Sequence, residues 1–263
     1  MLASTIAVVL FRGSLHEAPA CRHSPRRRPV CRPARTDLAL GQTLDPHSQN
    51  ESLTNAINGQ VYDTLVTRDK QLGIAPALAT EWTQVSPTLW RVKLRPNVKF
   101  HDGSAFTADD VVFSVVRAQH AASPFRAYAL AVGAPRKVDN LTVEFVLAQF
   151  NPIWLQHATS IYIMNKAWTE KNNAVTPLDF KNREDKYTNL NANGTGPYMV
   201  VSRQPDTRTV YRRNPNFWGR FEGNVQEVIY TPIKSDATRT AALISGEVDF
   251  VLDPVPQDVP RLR

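Results

Sequence analysis

Residues 90–119, WRVKLRPNVKFHDGSAFTADDVVFSVVRAQ, constrain the fold of this 263-residue chain more than any other stretch. Apolar residues alternate with cations from Trp90 to Arg95, and this period of two is typical of a strand that buries one row of side chains. A turn follows at residues 101–103, where Gly103 supplies the backbone freedom that a tight turn needs. The stretch therefore begins with a strand that ends in a turn.

A helix is predicted after that turn. Thr107 and Asp110 stand three residues apart, which is the spacing of a capping box. The residues that we expect on one helical face are Val112, Val115, Val116 and Gln119, with Phe113 beside them. The local prediction is strand, turn and capped helix, an arrangement that fits many soluble proteins.

The net charge of +7 raises the question of an anionic partner such as nucleic acid. Residues 1–36 hold seven arginines against one glutamate, a net +6, so the other 227 residues carry +1. The basicity therefore belongs to an N-terminal tail, and the body of the chain does not have the strongly basic composition of a nucleic-acid-binding domain.

Both cysteines, Cys21 and Cys31, also lie in that tail, so the rest of the sequence offers no cysteine for a metal cluster, a thiol nucleophile or a disulfide. An apolar start is followed by an Arg/Pro-rich run at residues 22–35, a composition typical of disorder. We predict that residues 1–35 form a disordered or degenerate signal and basic tail. The folded domain is expected to span residues 36–263.

Hydrophobic periodicity predicts the remaining elements. The predicted strands cover residues 36–40, 136–138, 141–147, 160–164, 198–203, 208–213, 225–233 and 248–252. The predicted helices cover residues 54–62, residues 237–245 and a segment that starts at Asn151-Pro152. Residues 165–193 are expected to form a long surface segment with a helix at its start.

Four separated blocks of sequence resemble one family. They are W-x-V-x-L-R-x-x-V-x-F-H-D-G with F-T-A-D-D-V at residues 90–111, G-T-G-P-Y at 194–198, N-P-N-F-W-G at 214–219 and S-G-E-V-D-F at 245–250. In this order they resemble the extracytoplasmic solute-binding proteins, family 5, of peptide- and nickel-type ABC transporters. The second block is not a phosphate loop, because no Lys-Ser/Thr follows it and the next residues predict a strand.

The resemblance implies an α/β fold of the periplasmic-binding-protein type II class. Members have two lobes joined by crossing strands, and the solute is trapped when the lobes close. Members are much longer than this chain, and S-G-E-V-D leads towards the crossover in them. We therefore expect a first lobe with a mixed sheet and flanking helices, and a missing second lobe.

The resemblance also implies where a ligand would bind. The loop before the first predicted helix faces the cleft in the family, which makes His47 and Asn50 candidate ligand contacts. Tyr128, in a region from which members hang aromatic side chains, and Ser160 are the other candidates. The charged groups that pair with peptide termini lie largely on the second lobe, so we expect weak ligand capture by this chain alone.

Enzyme motifs are not apparent in the sequence. Asp45 and His47 suggest a catalytic or metal-binding pair, but a proline turn with local side-chain-to-backbone hydrogen bonds explains them as well. His101-Asp102 also stands in a predicted turn, and neither G-x-S-x-G nor H-E-x-x-H occurs. We expect no enzymatic activity, no cofactor and no metal.

The function that the resemblance implies is the substrate-binding component of an ABC transporter that imports a peptide or a similar small solute. Its expected partners are that solute and the permease and ATPase subunits, without nucleic acid. It is expected to be a periplasmic monomer that reaches the membrane only through the permease. Two alternatives stay open: a non-functional fragment of a disrupted reading frame, and a ligand-sensing domain of a transcriptional regulator.

Overall fold

The computed structural model describes residues 34–37, 43–179, 184–221, 223–252 and 254–262. The predictions for residues 1–33, including both cysteines, lie outside the described residues. The described residues form an α/β structure, and none of their helices has the length and apolar character that crossing a membrane requires.

The strands and helices follow one another along the whole described chain. The strands are β1 (Ala34–Asp37), β2 (Val66–Arg68), β3 (Ile74–Pro76), β4 (Ala79–Ser86), β5 (Leu89–Leu94), β6 (Ala134–Asp139), β7 (Thr142–Val146), β8 (Tyr198–Gln204), β9 (Arg208–Arg213), β10 (Glu227–Thr231) and β11 (Phe250–Val251). The helices are α1 (Ser52–Asn58), α2 (Ala108–Ala118), α3 (Arg126–Val132), α4 (Trp154–Ala158), α5 (Lys166–Lys171), α6 (Tyr187–Leu190) and α7 (Asp236–Ser245), and a 3-10 helix spans Pro256–Arg261.

One sheet is antiparallel and has the order β4-β5-β7-β6. Val92 and Leu94 of β5 are buried while Arg91 and Lys93 face solvent, so the predicted alternation is confirmed. Trp90 stacks on Trp154 of α4 with ring centroids 4.7 Å apart. The predicted hairpin between β6 and β7 is also present.

Helix α2 packs against this sheet with a face that differs from the predicted one. The capping box of Thr107 and Asp110 is present, as predicted. However, Val116 is 54% exposed, and the buried face carries Val111 and Val115. The prediction of a face through Val116 was wrong because polar residues that have buried partners, described below, also belong to the inward side of this helix.

The second sheet is mixed and has the order β11-β1-β10-β9-β8. Strand β1 runs parallel to both of its neighbours, whereas β8, β9 and β10 are antiparallel. A second core lies between this sheet and the segment that contains α1; its buried members are Leu44, Ile57, Val61, Tyr62, Met164, Tyr211 and Tyr230. Strand β1 starts at Ala34 and ends at Asp37, two residues earlier than predicted at its start, and residues 38–42 lie outside the described residues.

The first predicted helix covers Ser52–Asn58 and not residues 54–62. The carbonyl of Gln60 accepts from Tyr198 N and that of Val61 accepts from Gly196 N, each at 2.9 Å. These long-range hydrogen bonds take the two carbonyls out of the helical pattern, which ends α1 at Asn58.

Three other predicted elements differ from the structure. The predicted strand at residues 160–164 is reduced to a single bridge between Thr64 and Tyr162. Helix α4 begins at Trp154, because the side chain of Asn151 accepts from Ile153 N in a turn before the helix. The predicted surface segment 165–193 contains α5 and α6 and buries several of its residues, namely Ala174, Leu178, Thr188 and Asn193.

The G-T-G segment, residues 194–196, makes a close backbone contact with the chain that follows α1. A Cβ atom on Gly194 would lie 2.0 Å from the carbonyl oxygen of Val61, and one on Gly196 would lie 2.7 Å from it. His101 holds the same segment, because its Nε2 donates to Gly196 O at 3.0 Å and its Nδ1 accepts from Gly194 N at 3.3 Å. The segment that leads into β8 is therefore tightly packed and leaves no room for a side chain at Gly194 or Gly196.

We predict that Gly194→Ala lowers the free energy of unfolding by at least about 2 kcal/mol, because the added methyl overlaps a backbone carbonyl that cannot move freely. Gly223→Ala is the matched control, since a Cβ there meets no atom within 4 Å. Urea denaturation of both variants measures the effect. Equal stability of the two variants would contradict the close contact.

Candidate functional site

Asp45 and Arg117 form an ion pair whose side chains are both 0% exposed. Arg117 Nη1 donates to Asp45 Oδ1 at 2.9 Å and Nη2 donates to Oδ2 at 2.5 Å, which is the two-pronged geometry that suits a guanidinium and a carboxylate. Thr188 Oγ1 donates to Oδ2 at 2.7 Å, and the backbone N of His47 donates to Oδ1 at 3.0 Å. The carboxylate is thereby fully engaged.

The remaining donors of Arg117 reach the segment between α5 and α6. Nε donates to Ala174 O and Nη2 to Thr176 O, each at 3.1 Å. This network explains why Ala174, Pro177 and Leu178 are buried, although composition predicted a surface segment here. Long-range pairing with Arg117 of α2 decides the position of that segment.

The pair also sets the protonation of Asp45. Burial by itself would raise the pKa of this carboxyl, but the charge and hydrogen bonds of Arg117 outweigh it and lower the pKa from 3.8 to about 2. Asp45 is therefore ionised in the folded protein at neutral pH. The local turn that was predicted here, with a side-chain-to-backbone bond from Asp45 to His47, is present as one part of this larger network.

The loop at residues 45–50 is held by three further hydrogen bonds. Ser123 Oγ donates to His47 O at 2.8 Å, and Ser48 Oγ accepts from Leu178 N at 2.8 Å. His47 Nε2 donates to the carbonyl of Tyr162 at 2.9 Å. Burial and the nearby Arg117 lower the pKa of His47 from 6.5 to about 3, so the imidazole is neutral. These hydrogen bonds tie the loop to Ser123, Leu178 and Tyr162.

The structure places the four predicted ligand contacts in different environments. His47 is fully buried, Tyr128 is 38% exposed, and Asn50 is exposed. Ser160 is half-buried, and its backbone N donates to His157 O at 3.0 Å. Their role in ligand binding stays a prediction.

Tyr162 connects several of these residues. Its hydroxyl donates to Asn55 O at 3.2 Å, and Asn55 Nδ2 donates to Asn50 Oδ1 at 2.9 Å. Its carbonyl accepts from His47, and Ser160 stands two residues before it. Tyr128 is connected only indirectly, through its ring contact with His157 at 6.0 Å. We call Asn50, Tyr128, Ser160 and Tyr162 the rim.

Sequence reasoning missed Tyr162 and Arg117. A lone cation among the buried positions of an apolar helix is a signal for Arg117, because such a charge needs a buried partner. Its partner is Asp45, 72 residues away, which no local pattern indicates. Tyr162 carries no comparable signal.

A second polar centre brings separate sequence blocks together at Asp63. Thr195 Oγ1 and Trp218 Nε1 each donate to Asp63 Oδ2 at 2.8 Å. Burial raises the pKa of this carboxyl although both hydrogen bonds act to lower it. Arg95 lies over the Trp218 ring, 4.4 Å from its centroid. Trp218 therefore packs on the core and also serves as a hydrogen-bond donor.

His101 and Asp102 do not form a catalytic arrangement. Both ring nitrogens of His101 contact the backbone of the G-T-G segment, and burial lowers its pKa from 6.5 to about 4. Asp102 accepts from the side chains of Ser104 and Asn193. In the part of the chain that the structure describes, no group of three or more His, Cys, Asp or Glu is arranged to hold a metal ion.

A family model matches residues 73–263, and its description is bacterial extracellular solute-binding proteins, family 5, middle region. The match covers well over half of the chain and includes all four sequence blocks that carry the resemblance.

Two curated relatives are similar over most of this chain. The glutathione-binding protein GsiB of Pectobacterium atrosepticum is 29% identical over 228 residues, which is 83% of this chain and 42% of GsiB. The periplasmic oligopeptide-binding protein OppA of Escherichia coli is 25% identical over 245 residues, which is 82% of this chain and 42% of OppA. The chain thus spans about two-fifths of the length of these relatives.

The fold is similar to that of solved binding proteins. The ABC transporter-associated periplasmic binding protein DppA of Helicobacter pylori, in complex with peptide STSA, superposes with a TM-score of 0.72 at 24% identity. The match covers 87% of this chain and 48% of DppA. The predicted fold class, a lobe of the periplasmic-binding-protein type with a mixed sheet and flanking helices, is confirmed.

We predict that Asp45→Asn lowers the free energy of unfolding by about 3–5 kcal/mol, because it leaves the buried Arg117 charge without its counterion. Asp109→Asn is the matched control, since Asp109 pairs with Lys137 while its side chain is 51% exposed, and it should cost about 0–1 kcal/mol. Urea denaturation at pH 7 compares them. Similar losses in the two variants would refute the special weight of the buried pair.

We predict that the free energy of unfolding decreases as the pH falls from 6.5 towards 4. The pKa values of His47 and His101 are lowered to about 3 and about 4, so the unfolded chain binds protons in this range that the folded chain does not. Their contribution is complete above pH 6.5 and is lost as the pH falls through the folded pKa values. Urea midpoints at pH 7.5, 6, 5 and 4 measure this.

His101→Gln is the variant for this experiment, because it removes one of the two ionisable groups. Its stability should change less steeply with pH than that of the unaltered chain. Midpoints that stay constant between pH 7.5 and 4 in the unaltered chain would contradict the prediction.

Proposed function

Because the chain belongs to family 5 of the bacterial extracellular solute-binding proteins, we propose that it acts in solute capture for an ABC importer. The proposed ligand is a peptide or a peptide-like small solute. The proposed partners are the permease and ATPase subunits of that importer, and the proposed location is the periplasm. The energy of transport would come from ATP hydrolysis in the separate subunits, so the chain itself would have only to bind and release the solute.

The relatives favour a peptide-like ligand without deciding which one. GsiB is described as binding glutathione and OppA as binding oligopeptides, and DppA was solved with the peptide STSA. These ligands share amide groups and charged ends. We propose ligands of the same chemistry for this chain.

The observation that carries the proposal within the chain is the fixed loop at residues 45–50. The buried Asp45–Arg117 pair and the hydrogen bond from Ser123 hold the backbone of this loop. Binding of a solute to the exposed side chain of Asn50 would therefore not have to order the loop first. Asn50, Tyr128, Ser160 and Tyr162 are the side chains that we propose for ligand contact. His47 is proposed to position Tyr162, because its buried ring donates a hydrogen bond to the Tyr162 carbonyl.

The domain organisation is part of the same proposal. We propose that residues 36–263 form one solute-binding lobe and that residues 1–35 are a separate tail. The proposed lobe supplies one wall of a cleft that closes around the solute in the manner of two-lobed binding proteins. One wall buries only part of a solute, so we expect binding by this chain to be weak, with a Kd of about 1 mM or higher.

We predict that short peptides shift the amide resonances of rim residues in ¹⁵N-labelled chain. Tyr128→Ala should reduce these shifts because it removes an exposed aromatic ring from the proposed wall. Val138→Ala is the matched control, since Val138 is also an exposed residue but lies on β6, outside the rim. Titration followed by two-dimensional NMR gives the affinity and the location together.

Three results would count against the proposal. Shifts confined to residues outside the rim would contradict the location, and cleavage of the peptides would contradict a role in binding alone. A micromolar Kd would contradict the expectation that one wall captures solutes weakly.

A further inference from the structure

His157 of α4 connects two of the side chains proposed for the rim. Its ring contacts the Tyr128 ring of α3, with centroids 6.0 Å apart, and its carbonyl accepts from Ser160 N at 3.0 Å. Tyr128 also contacts the buried ring of Phe125, with centroids 6.4 Å apart. The position of the partly exposed Tyr128 ring therefore depends on His157.

The side chain of Asn151 determines which ring nitrogen of His157 carries the proton. Asn151 Oδ1 accepts from Ile153 N at 3.1 Å, so the other end of this amide, Nδ2, is the donor. It donates one hydrogen to Ala131 O at 2.9 Å and the other to His157 Nδ1 at 3.0 Å. Nδ1 is thus an acceptor without a proton, and the imidazole is neutral with its proton on Nε2.

Protonation of His157 would break the hydrogen bond from Asn151. An imidazolium carries a proton on both nitrogens, so Nδ1 and the Asn151 amide would then be two donors facing each other. Asn151 cannot turn its oxygen towards Nδ1 without losing the bonds to Ile153 N and Ala131 O. Burial lowers the pKa of His157, so the charged ring is disfavoured in its present position.

In the described part of the chain, the side chains around α4 supply no carboxylate that would favour a charged ring. On α3, which packs against α4, the ionisable groups are Tyr128 and Arg126, and Arg126 is exposed. The loop at residues 147–153 contains no ionisable side chain. From the sheet, the aromatic rings of Trp90 and Phe145 contact the start of α4. A protonated His157 would therefore tend to move towards water.

We propose that neutral His157 is a positioning residue of the rim, which holds Tyr128 for contact with the solute and releases it when protonated. The inference rests on the proposed function, because that function assigns Tyr128 to the rim. His157 acts through Tyr128 and through Ser160, whose backbone it binds. Solute binding is then stronger when His157 is neutral, at higher pH, than when it is charged.

The hydrogen bond from Asn151 is tested without any solute, by following the His157 ring in the full chain by NMR as the pH changes. Asn151→Ala removes a donor that stabilises the neutral ring, so it should raise the pKa of His157. Asn172→Ala is the matched control, because Asn172 donates to Trp168 O at the end of α5 and should leave the His157 titration unchanged. Equal His157 titrations in the unaltered chain and in Asn151→Ala would overturn the proposal.

The effect on binding is tested by titrating the peptide STSA into ¹⁵N-labelled chain at pH 7.5 and at pH 5.0. We expect the Kd of the unaltered chain to be about fivefold or more higher at pH 5.0. His157→Phe keeps an aromatic ring beside Tyr128 but cannot be protonated, so its Kd should change much less between the two pH values. All other ionisable groups of the chain and the peptide are the same in both experiments, so the difference reports His157.

The outcomes separate this inference from the proposed function. Peptide shifts at the rim whose Kd is the same at both pH values, or changes equally in His157→Phe, would overturn the role of His157 and leave the proposed function standing. Absence of peptide shifts at pH 7.5 would overturn the proposed function and the role of His157 with it, even if the Asn151→Ala titration behaves as expected.

Discussion

The ion pair between Asp45 and Arg117 is the interaction on which the site depends most. Two charges in an interior are unfavourable unless each is matched and hydrogen-bonded, and here every charged atom has a partner. The pair joins the loop at residues 45–50, helix α2, the segment at 174–176 and helix α6. Four pieces of chain that are distant in sequence thus take one arrangement, and one of them is the loop that carries Asn50 of the proposed rim.

The parts of the fold that follow local rules could be predicted from the sequence. The alternation in β5, the capping box of Thr107 and Asp110 and the helix predicted over residues 237–245 depend on residues close together in the chain, and all of them are present. The end of α1 and the burial of Ala174 and Leu178 were missed. Both are set by hydrogen bonds to distant residues, which periodicity and composition do not encode.

In the candidate site, too, features set by neighbouring residues could be predicted and features set by distant residues could not. The importance of the loop at residues 45–50 came from resemblance, and its turn could be argued from Asp45 and the following proline. The burial of His47 and the position of Tyr162 could not, because they depend on the packing of residues about 115 positions apart. The blocks at residues 194–198 and 214–219 are linked because Asp63 accepts from both Thr195 and Trp218, and neither block by itself indicates this link.

The topology of the two sheets has a consequence for the order of folding. Among the described residues, strands β4 to β7 lie within residues 79–146 and form one sheet, so this sheet can assemble before the later part of the chain has folded. Strand β1 must wait, because it inserts between β10 and β11, about 200 residues downstream. Until that later region has folded, β1 has no neighbouring strand on either side, and unpaired strand edges favour aggregation.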